Sequence, residues 1–494
     1  MYYKGSISLV KIWTASNHKI LHPPMHLLYI GNALKKAGYS IKIFHFNHKD
    51  VFKRITEIVD YASVFVGFSI ITGDPADTIL QIAKSIKRKK NIPVVFGGIH
   101  PTFEPEQCLK EDCVDFVVLH EGENTVVELA DALSHGKAIS KINGLGYKDS
   151  NKIIINPFIK FHNNLDDFEM DWSLVDVEKY IYPHYAGTNR VLMGYVASRG
   201  CPHNCGFCYN QIFWKRKWRR HSSDKVVNNI NRLAKKYNFK GIVFFDDNFT
   251  VNKKWTFDIL DNINVNGIHV ETRIDYIDED FLIKLTKRNV KSLFIGVESG
   301  SDRILKLLSK GFNTKDIYKA LSLFKKYPIP AKLSFIVGIP SENLLEYSKT
   351  LNLIVWCIEN VPNCGFTFGF YLPYPGTQLF QLCLEKGFEK PDSFIGWKKL
   401  DRWGNQDIEI PWTEDYTLKP LEVKKLIFLI GRMHDLTRCS KPTLLNKLLY
   451  KLVRCRFRNS GTKTMHAISY IEDFFLPLFR FFYKKTKSYK TKNK

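Results

Sequence analysis

Ser198-Arg-Gly-Cys-Pro-His-Asn-Cys-Gly-Phe-Cys-Tyr209 places three cysteines, Cys201, Cys205 and Cys208, in the spacing C-x3-C-x2-C. No fourth cysteine completes a tetrad, because the next along the chain is Cys357. Three thiolates hold three corners of an iron–sulfur cube and leave its fourth iron open to another ligand. An open coordination position is what separates a reactive metal centre from a closed structural one. A zinc ribbon would require a second cysteine pair about 12 to 20 residues further on. Only His203 and His221 stand near enough to act as stray ligands. The other seven cysteines (Cys108, Cys113, Cys357, Cys364, Cys383, Cys439 and Cys455) are scattered, as suits reduced thiols rather than a disulfide framework. The stretch Met1-Tyr-Tyr-Lys-Gly-Ser6 lacks the apolar core of a signal peptide, so the expected compartment is the cytoplasm.

The 494 residues are enough for two or three domains, each with its own core. No uninterrupted apolar stretch approaches the length of a transmembrane helix. The formal net charge is +24, and its placement is uneven. Residues 441–494 hold 14 Lys/Arg against Glu472 and Asp473, half of the excess. Tyr470-Ile-Glu-Asp-Phe-Phe-Leu-Pro-Leu-Phe-Arg-Phe-Phe-Tyr483 lies within that basic region. Clustered aromatics beside lysines suit either a peripheral membrane contact or a helix packed on the protein body. No nucleic-acid motif accompanies the charge, so RNA or DNA is not an expected partner. The segment Phe213-Trp-Lys-Arg-Lys-Trp-Arg-Arg-His-Ser222 alternates aromatics and cations. Following the cysteines directly, it reads as a basic strap over their site rather than as an RNA grip.

Upstream, short β-branched runs alternate with helical stretches. Strands are expected at residues 6–12, 40–46, 63–70, 93–98 and 115–120, and helices at 25–36 and 77–88. Continuous apolar strands separated by helices indicate a parallel sheet covered on both faces. Such a doubly wound, Rossmann-like domain binds ligands beyond the carboxyl ends of its strands. Ser69, Gly97, Gly98 and Glu121 stand at those ends, the glycines allowing a ligand close to the backbone. No G-x-G-x-x-G follows the first strand, which argues against a dinucleotide.

Residues 141–188 carry little pattern and are expected as a linker between a domain at 1–140 and a second at 189–400, with a mostly helical basic region at 401–494. The second domain repeats the βα alternation six times, its strands expected at 191–198, 241–247, 269–275, 292–298, 331–338 and 365–371. Six such units make a partial barrel whose site lies at the carboxyl ends of the strands. Asp246, Asp247, Arg273, Asp275, Glu298 and Glu342 gather at that rim. Carboxylates there can hold an ammonium group and ribose hydroxyls, and an arginine can take a carboxylate.

The triad with the aromatic Phe207 before its third cysteine resembles the signature of the radical S-adenosylmethionine (SAM) superfamily. Phe245-Asp-Asp-Asn-Phe249, Gly296-Val-Glu-Ser-Gly-Ser301 with Lys310-Gly311, Phe335-Ile-Val-Gly-Ile-Pro-Ser-Glu342 and Tyr371-Leu-Pro-Tyr-Pro-Gly-Thr377 resemble its cobalamin-binding branch. Phe96-Gly-Gly-Ile-His-Pro-Thr-Phe103 and His120-Glu-Gly-Glu-Asn-Thr125 resemble that branch's cobalamin domain. The resemblance implies a [4Fe-4S] cluster on Cys201, Cys205 and Cys208, with SAM on its open iron. Reduction would cleave SAM to a 5′-deoxyadenosyl radical, the electron coming from an external donor of the flavodoxin or ferredoxin type. It also implies Asp246 and Asp247 by the methionyl end of SAM, Arg273 by its carboxylate, Glu298 by the ribose, and Ile336 with Gly338 by the adenine. Cobalamin would lie at Ser69, Gly97, Gly98 and Glu121.

One departure stands out. The cobalamin mutases' Asp-x-His-x-x-Gly run is absent, and the nearest histidines, His45 and His48, lack its flanking Asp and Gly. The expected activity is cobalamin-dependent methyl transfer to an unactivated carbon of a lipid or other small molecule. The rivals are an oxidative cyclase of the anaerobic magnesium-protoporphyrin monomethyl ester type and a non-catalytic cobalamin or redox sensor. Methylthio transfer is not expected, since no second cysteine triad lies upstream.

Overall fold

The computed structural model describes residues 3–13, 20–150, 152–400 and 411–412. Two seven-stranded sheets dominate it. The first holds β1 (Ser6–Trp13), β2 (Ser40–Asn47), β3 (Phe65–Ser69), β4 (Val94–Gly97), β5 (Phe116–Val118), β6 (Leu145–Asp149) and β7 (Lys152–Ile155). Its order is β2-β1-β3-β4-β5-β6-β7, parallel from β2 to β5 and antiparallel at β6 and β7. Central strands such as β3 and β5 are apolar on both faces because helices cover both. One face packs under Met25–Lys36 and Glu123–His135, the other under Val51–Tyr61 and Ala76–Lys90.

The second sheet begins with β8 (Ile181–Tyr185) and β9 (Thr188–Tyr195). A two-stranded ribbon follows, β10 (Ser198–Arg199) against β11 (Arg219–Arg220). Then come β12 (Gly241–Phe244), β13 (Gly267–Arg273), β14 (Val290–Glu298), β15 (Ala331–Val337) and β16 (Cys364–Phe370). The order β16-β15-β14-β13-β12-β9-β8 is parallel except at β8, which makes the expected six-stranded partial barrel with one antiparallel edge strand added. Outward-facing residues such as Ile268, Val270, Leu333 and Phe335 form one large core with the helices, including Ser223–Tyr237, Lys253–Asn262 and Leu344–Asn360.

Residues 141–188, expected as a linker, thus supply β6 and β7 to the first sheet and β8 to the second. Their apolar alternation is broken by Gly146, Lys148 and Pro183, so these strands, at or next to a sheet edge, carry no clear period of two. After the barrel the chain returns to the first domain. Phe394 enters its core, and the Trp397 indole N–H donates to Gln107 Oε1 at 2.7 Å. Apart from Pro411 and Trp412, the basic and aromatic region 401–494, with its expected helices and membrane contact, lies outside the described residues. Among the described residues no helix is long and apolar enough to cross a membrane.

Candidate active site

The cysteine loop leaves the carboxyl end of β9 and is held by two adjacent aspartates that follow β12. Asp246 accepts the Ala197 N–H at 3.2 Å and the Ser198 hydroxyl at 2.5 Å, just before the loop. Asp247 accepts the Gly200 N–H at 3.0 Å on one side of the triad, and the Tyr209 hydroxyl (2.5 Å) and Asn210 amide (3.0 Å) on the other. The pair therefore clamps both ends of the loop. Burial pushes the Asp246 carboxyl up to about 7, against the pull of its hydrogen bonds from Ser198 and Ala197.

Cys201 and Cys205 are buried, Cys208 is half-buried, and none is in a disulfide. Nitrogen donors reach two of the sulfurs, Arg273 Nη1 at 3.4 Å from Cys205 Sγ and Asn210 Nδ2 at 3.5 Å from Cys208 Sγ. Burial pushes the Cys208 thiol up to about 12 and raises that of Cys201. Thiols outside any disulfide, with N–H donors aimed at two of the sulfurs, fit the ligand set of a cluster.

Arg273 is already engaged. Its Nε and Nη2 each bond Asp275 at 2.9 Å, and Nη2 also reaches the Lys310 carbonyl. Glu298, at φ 69°, accepts from Lys310 Nζ at 3.0 Å, and that ammonium lies 5.6 Å from the Phe207 ring centroid. The end of β14 is thereby tied to the cysteine loop. Ile336 packs with Phe207 against the same apolar cluster. Gly338, at φ 72°, donates to Glu342 Oε2 at 2.9 Å, and its carbonyl accepts the Trp412 indole N–H at 2.7 Å.

Facing this mouth is the carboxyl end of the first sheet. Gly98 has φ 104°, and a Cβ there would lie 2.7 Å from the Ile70 carbonyl oxygen, so only glycine fits. The Ser69 carbonyl accepts from Lys11 Nζ at 3.3 Å. Glu121 bonds Arg199 Nη1 at 2.7 Å and Arg219 Nη2 at 2.8 Å, while Glu123 takes Arg199 Nη2 at 2.7 Å. Burial pushes the Glu121 carboxyl up, but the Arg199 and Arg219 guanidiniums outweigh it and hold it below the usual range. A cavity of about 300 Å³ lies between the two mouths. Ser69, Gly97, Gly98 and Glu121 line it from the first sheet, and Ser198, Arg199, Tyr209 and Asp247 from the barrel. Its remaining wall is largely apolar, with Leu9, Phe65, Val95 and Val118 among its residues. Glycines at the sheet edge above an apolar wall fit a bulky, partly apolar macrocycle such as cobalamin.

Residues 195–354 match the Radical SAM superfamily model, and residues 15–130 match the B12 binding domain. An uncharacterized methyltransferase of Pyrococcus horikoshii is 32% identical over 73% of this chain and 78% of its own. The chain belongs to the B12-binding radical SAM family. It is a radical SAM enzyme, and its cofactors are a [4Fe-4S] cluster, SAM and cobalamin. The anaerobic magnesium-protoporphyrin IX monomethyl ester cyclase of Rubrivivax gelatinosus is 28% identical over 81% of this chain and 74% of its own. Two solved structures share the fold. The cobalamin-dependent SAM radical enzyme OxsB superposes with a TM-score of 0.67 at 17% identity, over 95% of this chain and 75% of that one. The radical SAM methyltransferase TsrM of Kitasatospora setae gives 0.63 at 16% identity, over 94% and 99%.

Three residues of this radical SAM site lay in the motifs quoted above without an assigned partner, and a fourth went unnoticed in the sequence. Arg199 and Arg219 bridge the domains through Glu121, and Lys310 carries Glu298. Motifs holding Arg199 and Glu121 were both legible, but nothing along the chain paired residues 78 positions apart. The fourth is His26, at the start of the helix Met25–Lys36, which lines the cavity. Burial, with Lys11 and His45 nearby, holds its imidazole down at about 3 and hence neutral. His45, by contrast, bonds the Tyr180 hydroxyl at 2.9 Å, and neither it nor His48 lines the cavity.

Proposed function

We propose that this protein is a cobalamin-dependent C-methyltransferase acting on an unactivated carbon of a small molecule. The observation that carries this reading is the shared cavity, in which glycines of the B12-binding sheet face the residues that bracket the cysteine triad. When bound, the cluster would supply the electron that cleaves SAM to methionine and a carbon-centred 5′-deoxyadenosyl radical, and cobalamin would supply the methyl group. The chain's own residues orient and seal this chemistry. Asp246 and Asp247 act as positioning residues that fix the triad, rather than as open ligands of the methionyl end, since their oxygens are already spent on the loop. Arg273 sets a positive charge beside Cys205, and the Glu298–Lys310 pair holds the aromatic edge of Phe207. Gly338, with no side chain, and Ile336 offer close approach and apolar surface to an adenine. The buried ions Arg199, Glu121 and Glu123 lock the two mouths together and keep bulk water from the seam.

Anaerobic reconstitution with iron, sulfide and hydroxocobalamin, followed by methyl-labelled SAM, tests the proposal. Transfer of label to the bound cobalamin is the expected result. Absence of that transfer, with SAM still cleaved to 5′-deoxyadenosine, would favour the second reading. That reading is an oxidative cyclase, and likeness to the magnesium-protoporphyrin cyclases supports it. Electron delivery by an external flavodoxin- or ferredoxin-type protein belongs to both.

A further inference from the structure

Beneath the mouth, the inner face of the barrel sheet is polar and unspent. Register places Glu271 beside Phe294, Phe294 beside Lys332, and Lys332 beside Gly365 in one row across β13 to β16. The alternate residues of these strands lie in the core under the helices, so this row faces the lumen. It sits one inward-facing position below Arg273, whose guanidinium touches Cys205 Sγ. Two strand spacings separate Glu271 from Lys332, about 10 Å between backbones. No salt bridge joins them, and neither side chain hydrogen-bonds a described residue, with Lys332 exposed and Glu271 half-buried. Over β16 the lumen is open, since a Cβ on Gly365 or Gly369 would meet nothing within 4 Å. Lower on β13, His269 is 3% exposed and its Nε2 has no partner, although Nδ1 is bonded to Ser292 Oγ at 2.6 Å. The charged groups nearer the cysteines, Asp247, Arg273 and Glu298, are bonded to partners of the protein's own; the Glu271 and Lys332 side chains make no such bond.

An acid and a cation on opposite sides of an aromatic ring describe a ligand with both charges. We propose that this chamber binds the reacting substrate and that the substrate is a small zwitterion of the α-amino-acid type, its ammonium toward Glu271, its carboxylate toward Lys332 and its side chain over Phe294. The assignment rests on the methyltransferase reading and narrows its substrate. A lipid tail would strand both charges in an apolar contact, at a cost of several kcal/mol by transfer data. Burial pushes the Glu271 carboxyl up to about 8; the negative charges of Asp247 and Asp246 behind it add to the rise and would equally attract a cation, while Lys332 opposes it.

The test is calorimetry on the reconstituted full chain, anaerobic and saturated with SAM so that the cluster's own amino-acid ligand is in place. The probes are the twenty protein L-amino acids, then the matching amine and matching acid of any that bind. At least one amino acid should bind, with its amine and acid at least tenfold weaker. Lys332→Met should weaken the amino acid tenfold or more and spare the amine, Glu271→Gln should do the reverse, and Lys332→Arg should restore binding. Thermal unfolding of each variant reports whether it folds. No binding by any amino acid, or binding that neither substitution moves, overturns the proposal. Calorimetry needs no turnover, so an amino acid that binds without any label transfer would retire the methyltransferase reading and leave the chamber standing.

Discussion

The mouth of the barrel and its lumen are built from the same residue types and use them in opposite ways. At the mouth, every charge named above is matched: Asp247 by Gly200, Tyr209 and Asn210, Arg273 by Asp275, Glu298 by Lys310, and Arg199 by two glutamates. In the lumen, the half-buried Glu271 and the exposed Lys332 make no side-chain hydrogen bond to a described residue, and the buried His269 Nε2 has no partner. Buried polar groups are ordinarily satisfied. The matched set therefore belongs to the protein's own architecture, which fixes the cysteine loop, and the unmatched set to a ligand. Charge at a rim is weak evidence of substrate contact until its partners are known.

The comparison is broken most severely at the triad itself. Cys205→Ala should abolish formation of 5′-deoxyadenosine and cut bound iron, while the unfolding transition of the first sheet stays in place. Retained cleavage would refute the ligand assignment. Next in size is the matched seam. Arg199→Ala leaves Glu121 and Glu123 buried without their shared cation, which costs about 3–5 kcal/mol, readable as a lowered denaturation midpoint. Arg199→Lys should recover little, because one ammonium cannot bridge two carboxylates as a guanidinium fork does.

Gly98→Ala strains a left-handed residue against the Ile70 carbonyl, costing about 1–3 kcal/mol. It should also lower cobalamin uptake, measured by the visible absorption of the desalted protein. Asp246→Asn probes the clamp by pH. The folded carboxyl titrates at about 7 against an ordinary 3.8, so the fold holds a proton that the unfolded chain has released. This group's contribution is complete at acid pH and is lost as pH rises through that window. Asparagine is neutral throughout. Wild type should therefore lose stability relative to the variant between about pH 4 and 7, by at most about 1.4 kcal/mol per pH unit. A gap that does not change with pH would show that the carboxyl is not buried as described. The smallest effect belongs to the exposed pair Arg232–Glu169, where Arg232→Ala should cost less than about 1 kcal/mol.

Much of this was legible before the structure. The central strands of both sheets announced themselves as apolar runs, and the triad announced its chemistry, because both signals are local. Three strands at or next to a sheet edge, β6 to β8, were missed, since a strand half open to solvent needs no continuous apolar run. Partnerships were less legible than positions. Asp246 and Asp247 were found at the right rim and expected to face SAM. Their hydrogen bonds run instead to a loop 37 to 49 residues away, which no spacing rule reports. Glu121 likewise stands at the expected strand end, and its arginines come from the other domain. His26 stands in no mutase-like spacing, and its place on the cavity wall comes from the first turn of a helix.

The central claim is that cluster and cobalamin meet in one cavity across the seam. Electron paramagnetic resonance of the reconstituted protein, with cobalamin as Co(II), tests it directly. Reducing the cluster should broaden or split the Co(II) signal through magnetic interaction between neighbouring centres. Two unperturbed signals, with both cofactors bound at full occupancy, would contradict the account.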